Sequence, residues 1–159
     1  MALTNVEARE NGGINLYIDN DDAPGPRAVT LTNITTSGWS NALGDRISST
    51  GAYIFTLGGL NITNSMFDDH TSSGLDIENN GFAQPVTLNN VSSSRNGYRG
   101  IEVYAFGNIM FINVNANNNS AAGAYLDNCR LSGSYCVGTG MVSITAPAPK
   151  FTSFSNNGG

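Results

Sequence analysis

Apolar and polar residues alternate along this chain in short stretches, and one five-residue pattern recurs through it. The pattern is apolar, any, apolar, any, Asn, and it occurs at 1–5, 29–33, 60–64, 86–90 and 109–113, with a degraded copy at 142–146 that ends in Ala. Alternation with a period of two is typical of β-strands that bury one face. The Asn residues are 23 to 31 positions apart, and repetition at this period indicates stacked units that share one core.

A second apolar-any-apolar stretch begins eleven residues after the Asn in four of these units, at Leu16, Leu75, Ile101 and Ala124. The second unit breaks this spacing. Eleven residues after Asn33 lies Gly44, with Trp39 close by, and an extra strand-like stretch follows at 52–55. We expect a bulge or an insertion in this unit.

Stacking the units in register predicts two inward columns, Val29-Leu60-Val86-Ile109 and Leu31-Ile62-Leu88-Phe111. Each strand then pairs in parallel with its equivalent one turn on, about 4.8 Å away. The predicted fold is all-β, a single-stranded right-handed parallel β-helix (β-solenoid) of about five to six coils. We expect one domain over 1–159, with coils that begin near 1, 29, 60, 86, 109 and 142.

The Asn that closes each first strand has a structural explanation. Asn tolerates the left-handed backbone conformation and hydrogen-bonds to nearby backbone, so it suits a sharp corner. Stacked Asn amides also hydrogen-bond to one another, which satisfies polar groups that are costly to bury alone. We therefore predict a structural Asn ladder formed by Asn5, Asn33, Asn64, Asn90 and Asn113.

Composition excludes several classes of protein and partner. Only 12% of residues are charged, Asn occurs 22 times and Gly 19 times, and 40% of residues are hydrophobic. This is unlike a helical bundle or a coiled coil. The net charge of -5 and the seven scattered basic residues give no footprint for nucleic acid, which we exclude as a partner. No apolar run approaches the roughly 18 residues of a membrane helix, so we expect no membrane insertion.

With these repeats, the chain resembles the right-handed parallel β-helix repeats of the pectin-lyase-like superfamily. It is most similar to the Asn/Gly-rich copies of large secreted bacterial surface proteins, as in 86–91 followed by 100–103. The resemblance covers nearly the whole chain and implies an extracellular or cell-surface location. It does not select a function, because the superfamily includes lyases, hydrolases, adhesins, tail spikes and inert stalks.

The strongest enzyme-like arrangement is the pair Asp76 and Glu102. The two residues hold equivalent outward positions on successive coils, about 5 Å apart, which is the spacing of a retaining glycosidase pair. Further candidate ligand-binding residues on the same face are Glu78, Tyr104, Tyr17 and Tyr125. Outward strand positions are polar in any stable sheet, and the Gly-His-Gly and Arg-Ile-Lys motifs of polygalacturonase-like members are missing from the sequence. We therefore expect no catalytic residues.

Metal and cofactor chemistry has little support in the sequence. The segment 19–22, Asp-Asn-Asp-Asp, offers oxygen ligands for Ca²⁺ but lacks the Gly and Glu spacing of an EF-hand. We expect an acidic turn there, no metal site and no cofactor. The only His, His70, follows two Asp residues, and we expect it to be a solvated turn residue rather than a base.

Two cysteines, Cys129 and Cys136, lie seven residues apart in a segment that is typical of a loop. Such a pair closes a small disulfide loop in an oxidising compartment, and the alternative is two reduced thiols. We expect the disulfide.

These observations favour a non-catalytic structural protein, a segment or self-stacking subunit of an extracellular filament, stalk or adhesin. Neither end of the repeat shows a polar cap, and open parallel edges favour further pairing. The expected partners are other copies of the chain, stacked end to end, or flanking coils of a longer chain, and surface glycans. The alternative is a carbohydrate-binding or carbohydrate-active β-helix, similar to polysaccharide lyases or hydrolases.

Overall fold

The computed structural model describes residues 1–22, 24–38, 49–129, 131–132, 135–136 and 140–158. Within these ranges the protein is all-β, without helices. The strands are β1 (Ala2–Arg9), β2 (Leu16–Asn20), β3 (Val29–Ser37), β4 (Ala52–Thr56), β5 (Leu60–Asp68), β6 (Leu75–Asn79), β7 (Val86–Ser92), β8 (Ile101–Ala105), β9 (Ile109–Asn115), β10 (Ala124–Asp127), β11 (Leu131–Ser132), β12 (Tyr135–Cys136) and β13 (Val142–Thr145).

Two parallel sheets contain nearly all of these strands. The first sheet has the order β1-β3-β5-β7-β9-β13, and the second has the order β10-β8-β6-β4-β2. From β1 to β10 the chain therefore alternates between the sheets, and each strand pairs with the next-but-one strand in sequence. This order is compatible with a solenoid-like fold. The short strands β11 and β12 form a separate antiparallel pair.

The core lies on the inward faces of the strands, as the period-two pattern predicts. Both inward columns are in register through β3, β5, β7 and β9, and every member is at most 2% exposed. In the second sheet Leu75 and Ile77 are fully buried, whereas the alternate residues Asp76 and Glu78 on the same strand are half-buried. The alternation thus determines which side chains reach solvent and are accessible to a ligand.

The second unit is where the sequence analysis needs correction. The stretch 52–55 is not an extra strand, because β4 pairs with β2 on one side and β6 on the other. It is the second-sheet strand of its own unit, displaced from the expected offset of 11 to 52 − 33 = 19 residues. The expected bulge or insertion, with Trp39 and Gly44, lies outside the described residues.

The five Asn residues of the first corner adopt left-handed backbone conformations, with φ between 52° and 56°. Asn33 Nδ2 donates to Asn5 Oδ1 at 2.9 Å. Asn90 donates in the same way to Asn64 at 2.9 Å, and Asn113 donates to Asn90 at 3.1 Å. The side chains therefore connect the strands along the stacking direction, as well as forming the corner.

The ladder is interrupted at one step. No side-chain hydrogen bond joins Asn33 to Asn64 in the described structure. Beside this step the Ser65 hydroxyl accepts a hydrogen bond from the Ile34 backbone N–H at 3.1 Å. Strand register places Ser65 in line with Val91 and Val114 of the following units. A polar side chain at this position therefore takes the hydrogen bond of the Ile34 N–H, which the Val side chains cannot accept.

A second buried column lies at the other corner, and the sequence analysis missed it. Asn96 Nδ2 donates to Asn119 Oδ1 at 3.0 Å, and Asn119 Nδ2 donates to Asn157 Oδ1 at 3.1 Å. His70 occupies the equivalent place one unit earlier, where its backbone N–H donates to Asn96 Oδ1 at 3.0 Å. The expectation of a solvated His70 is wrong, because the side chain is fully buried and its Nε2 lies 3.1 Å from Thr36 Oγ1.

Candidate functional site

The outer face of the second sheet carries the candidate residues in two columns. Strand register places Tyr17, Tyr53, Asp76, Glu102 and Tyr125 in one column, and Asp19, Phe55, Glu78, Tyr104 and Asp127 in the next. All six residues expected from the sequence lie on this face. We call the set Tyr17, Tyr53, Asp76, Glu78, Glu102, Tyr104 and Tyr125 the acid–aromatic face.

Asp76 lies on β6, the central strand of the sheet. Its direct neighbours in register are Tyr53 on β4 and Glu102 on β8. Burial and, to a smaller extent, the negative charges of Glu102 and Glu78 together raise the pKa of Asp76 to about 6, although the Arg99 guanidinium opposes them. Its carboxylate has no hydrogen-bond partner among the described residues, so nothing there compensates its charge directly.

Glu102, in contrast, has its own partners. It forms an ion pair with Arg99 and accepts a hydrogen bond from the Tyr104 hydroxyl at 2.7 Å. The hydrogen bond to Glu102 raises the pKa of Tyr104. The Arg99 guanidinium also lies over the Tyr125 ring, 4.3 Å from its centroid, which is close enough for a cation–π contact. The one guanidinium that the described structure brings to Asp76 is therefore already held by Glu102 and Tyr125.

Aromatic rings continue the face on the other side of Asp76. The rings of Tyr17 and Tyr53 are stacked, with centroids 5.8 Å apart and planes 6° from parallel. The Tyr53 hydroxyl donates to Glu78, and burial together with this bond raises the pKa of Tyr53. Tyr17 is 57% exposed and Tyr125 is 38% exposed. A ligand reaching Asp76 therefore meets ring surface on both sides along the direction in which the strands stack.

The arrangement places two carboxylates of unequal environment on adjacent strands, about 4.8 Å apart in backbone spacing. Asp76 has no hydrogen-bond or ion-pair partner among the described residues, and its pKa is raised, whereas Glu102 is paired with the Arg99 guanidinium. Paired carboxylates of this kind are able to divide acid and base roles between them. The face is also suited to binding without catalysis, because Tyr17 and Tyr125 are exposed and the Glu102 carboxylate is held by Arg99 and Tyr104.

Two members of this site, Tyr53 and Arg99, were not among the site residues expected from the sequence. Tyr53 was overlooked because the long connection before β4 displaces it from the constant offset of eleven residues. Aligning the alternating stretch 52–56 with 16–20, while allowing the spacing to vary, would have paired Tyr53 with Tyr17. Arg99 lies in the turn before β8, and its ion pair depends on a side-chain path that no repeat pattern encodes. An Arg three residues before an outward Glu was the available signal.

The other candidates are the acidic turn, which begins at Asp19 on the outer face of the same sheet, and the two cysteines. At the acidic turn, Asp19 Oδ1 accepts the backbone N–H of Asp21 at 3.4 Å. Within the described ranges no group of three or more His, Cys, Asp or Glu side chains is arranged to hold a metal ion. Cys129 and Cys136 are joined by a disulfide, with Cα atoms 5.2 Å apart. No helix of the described chain has the length and hydropathy needed to cross a membrane.

Comparisons of the chain with protein-family models, with curated protein sequences and with solved structures found no match.

Proposed function

We propose that the chain is a non-catalytic structural element, a right-handed parallel β-helix of the pectin-lyase-like type. In this proposal it forms a segment or a self-stacking subunit of an extracellular filament, stalk or adhesin. The disulfide supports an oxidising, extracellular setting. The two corner columns also support the proposal, because their hydrogen bonds join successive units along the stacking direction.

The observation that carries the proposal is the uncovered end of the first sheet. Ile109 and Phe111 on β9 are at most 1% exposed, whereas their partners in register on β13, Val142 and Ile144, are 44% and 48% exposed. β13 is also the last strand of this sheet among the described residues, and an open strand edge favours the addition of another parallel strand. Covering this edge with further coils buries the apolar side chains and satisfies the backbone together.

Electron microscopy and light scattering over a range of protein concentration test self-stacking. Filaments of uniform width that grow with concentration support it. Ile144→Asp places a charge in the apolar column and is expected to abolish the filaments. The matched control Ser143→Asp adds the same charge on the outward side of β13 and is expected to leave them. A monomer at every concentration overturns self-stacking and retains only the segment of a longer solenoid.

A second candidate function, carbohydrate binding or processing, is favoured by the acid–aromatic face. Exposed Tyr17 and Tyr125 offer apolar ring surface with polar edges, and Asp76 and Glu102 provide the carboxylates. Glycan-array binding that is lost in the double variant Asp76→Ala/Glu102→Ala supports this candidate. If the wild-type chain releases new sugar ends and the double variant does not, the face is catalytic and the chain is an enzyme. Unchanged binding in the variant removes the candidate.

A further inference from the structure

The charge around Asp76 is unbalanced, and this restricts what the acid–aromatic face is able to accept. The neighbours of Asp76 include the acids Glu78 and Glu102 and the guanidinium of Arg99. Arg99 is already paired with Glu102, and Glu78 accepts only the neutral Tyr53 hydroxyl among the described residues. A negatively charged ligand is therefore repelled here, and a positively charged one supplies the missing partner.

The same face offers rings rather than further polar side chains on either side of the acids. Tyr17 and Tyr53 form a stacked pair on the β2–β4 side, and Tyr104 and Tyr125 lie with ring centroids 5.7 Å apart on the β8–β10 side. Aromatic faces attract cations and also bind apolar ring surfaces. A suitable ligand thus combines positive charge with extended ring surface, repeated along the stacking direction.

The position of Asp76 discriminates between a saccharide and a peptide. It lies on β6, whose two edges are both occupied by neighbouring strands. A peptide has no free edge there for strand addition, which is the main way in which a sheet binds an extended peptide. Recognition at the centre of this face uses side chains alone, and a chain of sugar rings suits that requirement because each ring offers a flat apolar side and polar substituents.

We propose that the acid–aromatic face binds saccharide chains that carry free amino groups. An ammonium group of the ligand donates hydrogen bonds to the Asp76 carboxylate, and neighbouring sugar rings pack on Tyr17 and Tyr125. Acidic polysaccharides such as polygalacturonate are excluded by the same carboxylates. This inference rests on the second candidate function above, binding of carbohydrate, and adds the charge class of its ligand.

Calorimetric titration at neutral pH tests the inference with four oligomers of matched length. They are glucosamine, N-acetylglucosamine, galacturonate and lysine oligomers. The wild-type chain is expected to bind the glucosamine oligomer and to ignore the galacturonate oligomer. Asp76→Asn is expected to weaken glucosamine binding about tenfold or more, the effect of removing one partner of a poorly solvated charge pair. This variant removes an unfavourable charge, so its fold is expected to persist.

Glu7→Gln is the matched control, since it makes the same change of net charge at an exposed ion pair on β1, away from this face. It is expected to change the affinity less than about twofold, as for a distant exposed charge. Tyr17→Ala is expected to weaken glucosamine binding while leaving Asp76 in place. Equal weakening by Glu7→Gln and Asp76→Asn overturns the inference, because it means that only net charge matters.

The remaining outcomes distinguish the two proposals. Equal binding of the glucosamine and N-acetylglucosamine oligomers overturns the amine inference and leaves carbohydrate binding intact. Binding of the lysine oligomer alone overturns the amine inference and identifies a cationic peptide as the ligand. Binding of none of the four also overturns the amine inference, and a negative glycan array then overturns carbohydrate binding separately.

Discussion

Replacement of Asn90 by Ala tests whether the first corner is held by its side-chain ladder. Asn90 Nδ2 donates to Asn64, and its Oδ1 accepts from Asn113 and from the exposed Lys150 ammonium. Loss of the two ladder hydrogen bonds costs about 1 kcal/mol each, and loss of the exposed Lys150 contact adds little. Ala also has to adopt φ of 55°, at a further cost of about 1–2 kcal/mol. We therefore expect Asn90→Ala to lower the free energy of unfolding by about 3–4 kcal/mol.

Urea unfolding monitored by circular dichroism measures this change, provided that the slope of free energy against urea is unaltered. The adjacent Asn89 is the matched control, because it is equally half-buried but points outward from β7 and makes no side-chain hydrogen bond in the described structure. We expect Asn89→Ala to change stability by less than about 0.5 kcal/mol. Asn90→Gly removes the ladder bonds but tolerates the backbone conformation, so it should lie between the two. If Asn90→Ala and Asn89→Ala are equivalent, the ladder reasoning is refuted.

Three further predictions concern the charge of Asp76, the close packing at Gly100 and the buried imidazole of His70. The folded pKa of Asp76, about 6, exceeds its unfolded value of about 3.9, so stability should fall as pH rises from about 4 to 6. Asp76→Asn should remove this fall and stabilise the protein at pH 7 by about 1–2 kcal/mol, after allowance for solvent screening. Gly100→Ala should cost about 2–3 kcal/mol by overpacking, because the added Cβ comes within 2.5 Å of a backbone oxygen. His70→Ala should cost about 2–3 kcal/mol through a cavity and lost hydrogen bonding, whereas His70→Asn should retain most of the stability.

Each of these predictions has a measurement and a control. Urea unfolding at pH 4 and pH 7 compares Asp76→Asn with the wild type, and equal stability differences at the two pH values contradict the pKa argument. Gly12→Ala is the control for Gly100→Ala, because a Cβ at Gly12 has no neighbour within 4 Å. Thermal unfolding compares the two His70 variants. Equal unfolding temperatures of His70→Ala and His70→Asn would show that the second corner column does not depend on a hydrogen-bonding side chain at position 70.

Regular alternation made most of the fold predictable. The inward columns and the five left-handed Asn residues follow from local sequence, because strand alternation and Asn backbone preference act over a few residues. The second corner column was less visible, since His70 takes a place that Asn96 and Asn119 hold in later units. A pattern defined by residue type does not detect this repeat, because its first described member is His and the later members are Asn.

The candidate site divides in the same way. The outward positions of Asp76, Glu102, Tyr17 and Tyr125 on one sheet were predictable from the sequence, because period two and a constant offset fix both side and register. Tertiary structure alone decided that Tyr53 joins them, since a longer connection displaces it along the chain but not in space. It also decided which acid is compensated, because Arg99 pairs with Glu102 and Asp76 has no such partner among the described residues. Burial and side-chain reach, unlike alternation, depend on the stacked neighbours.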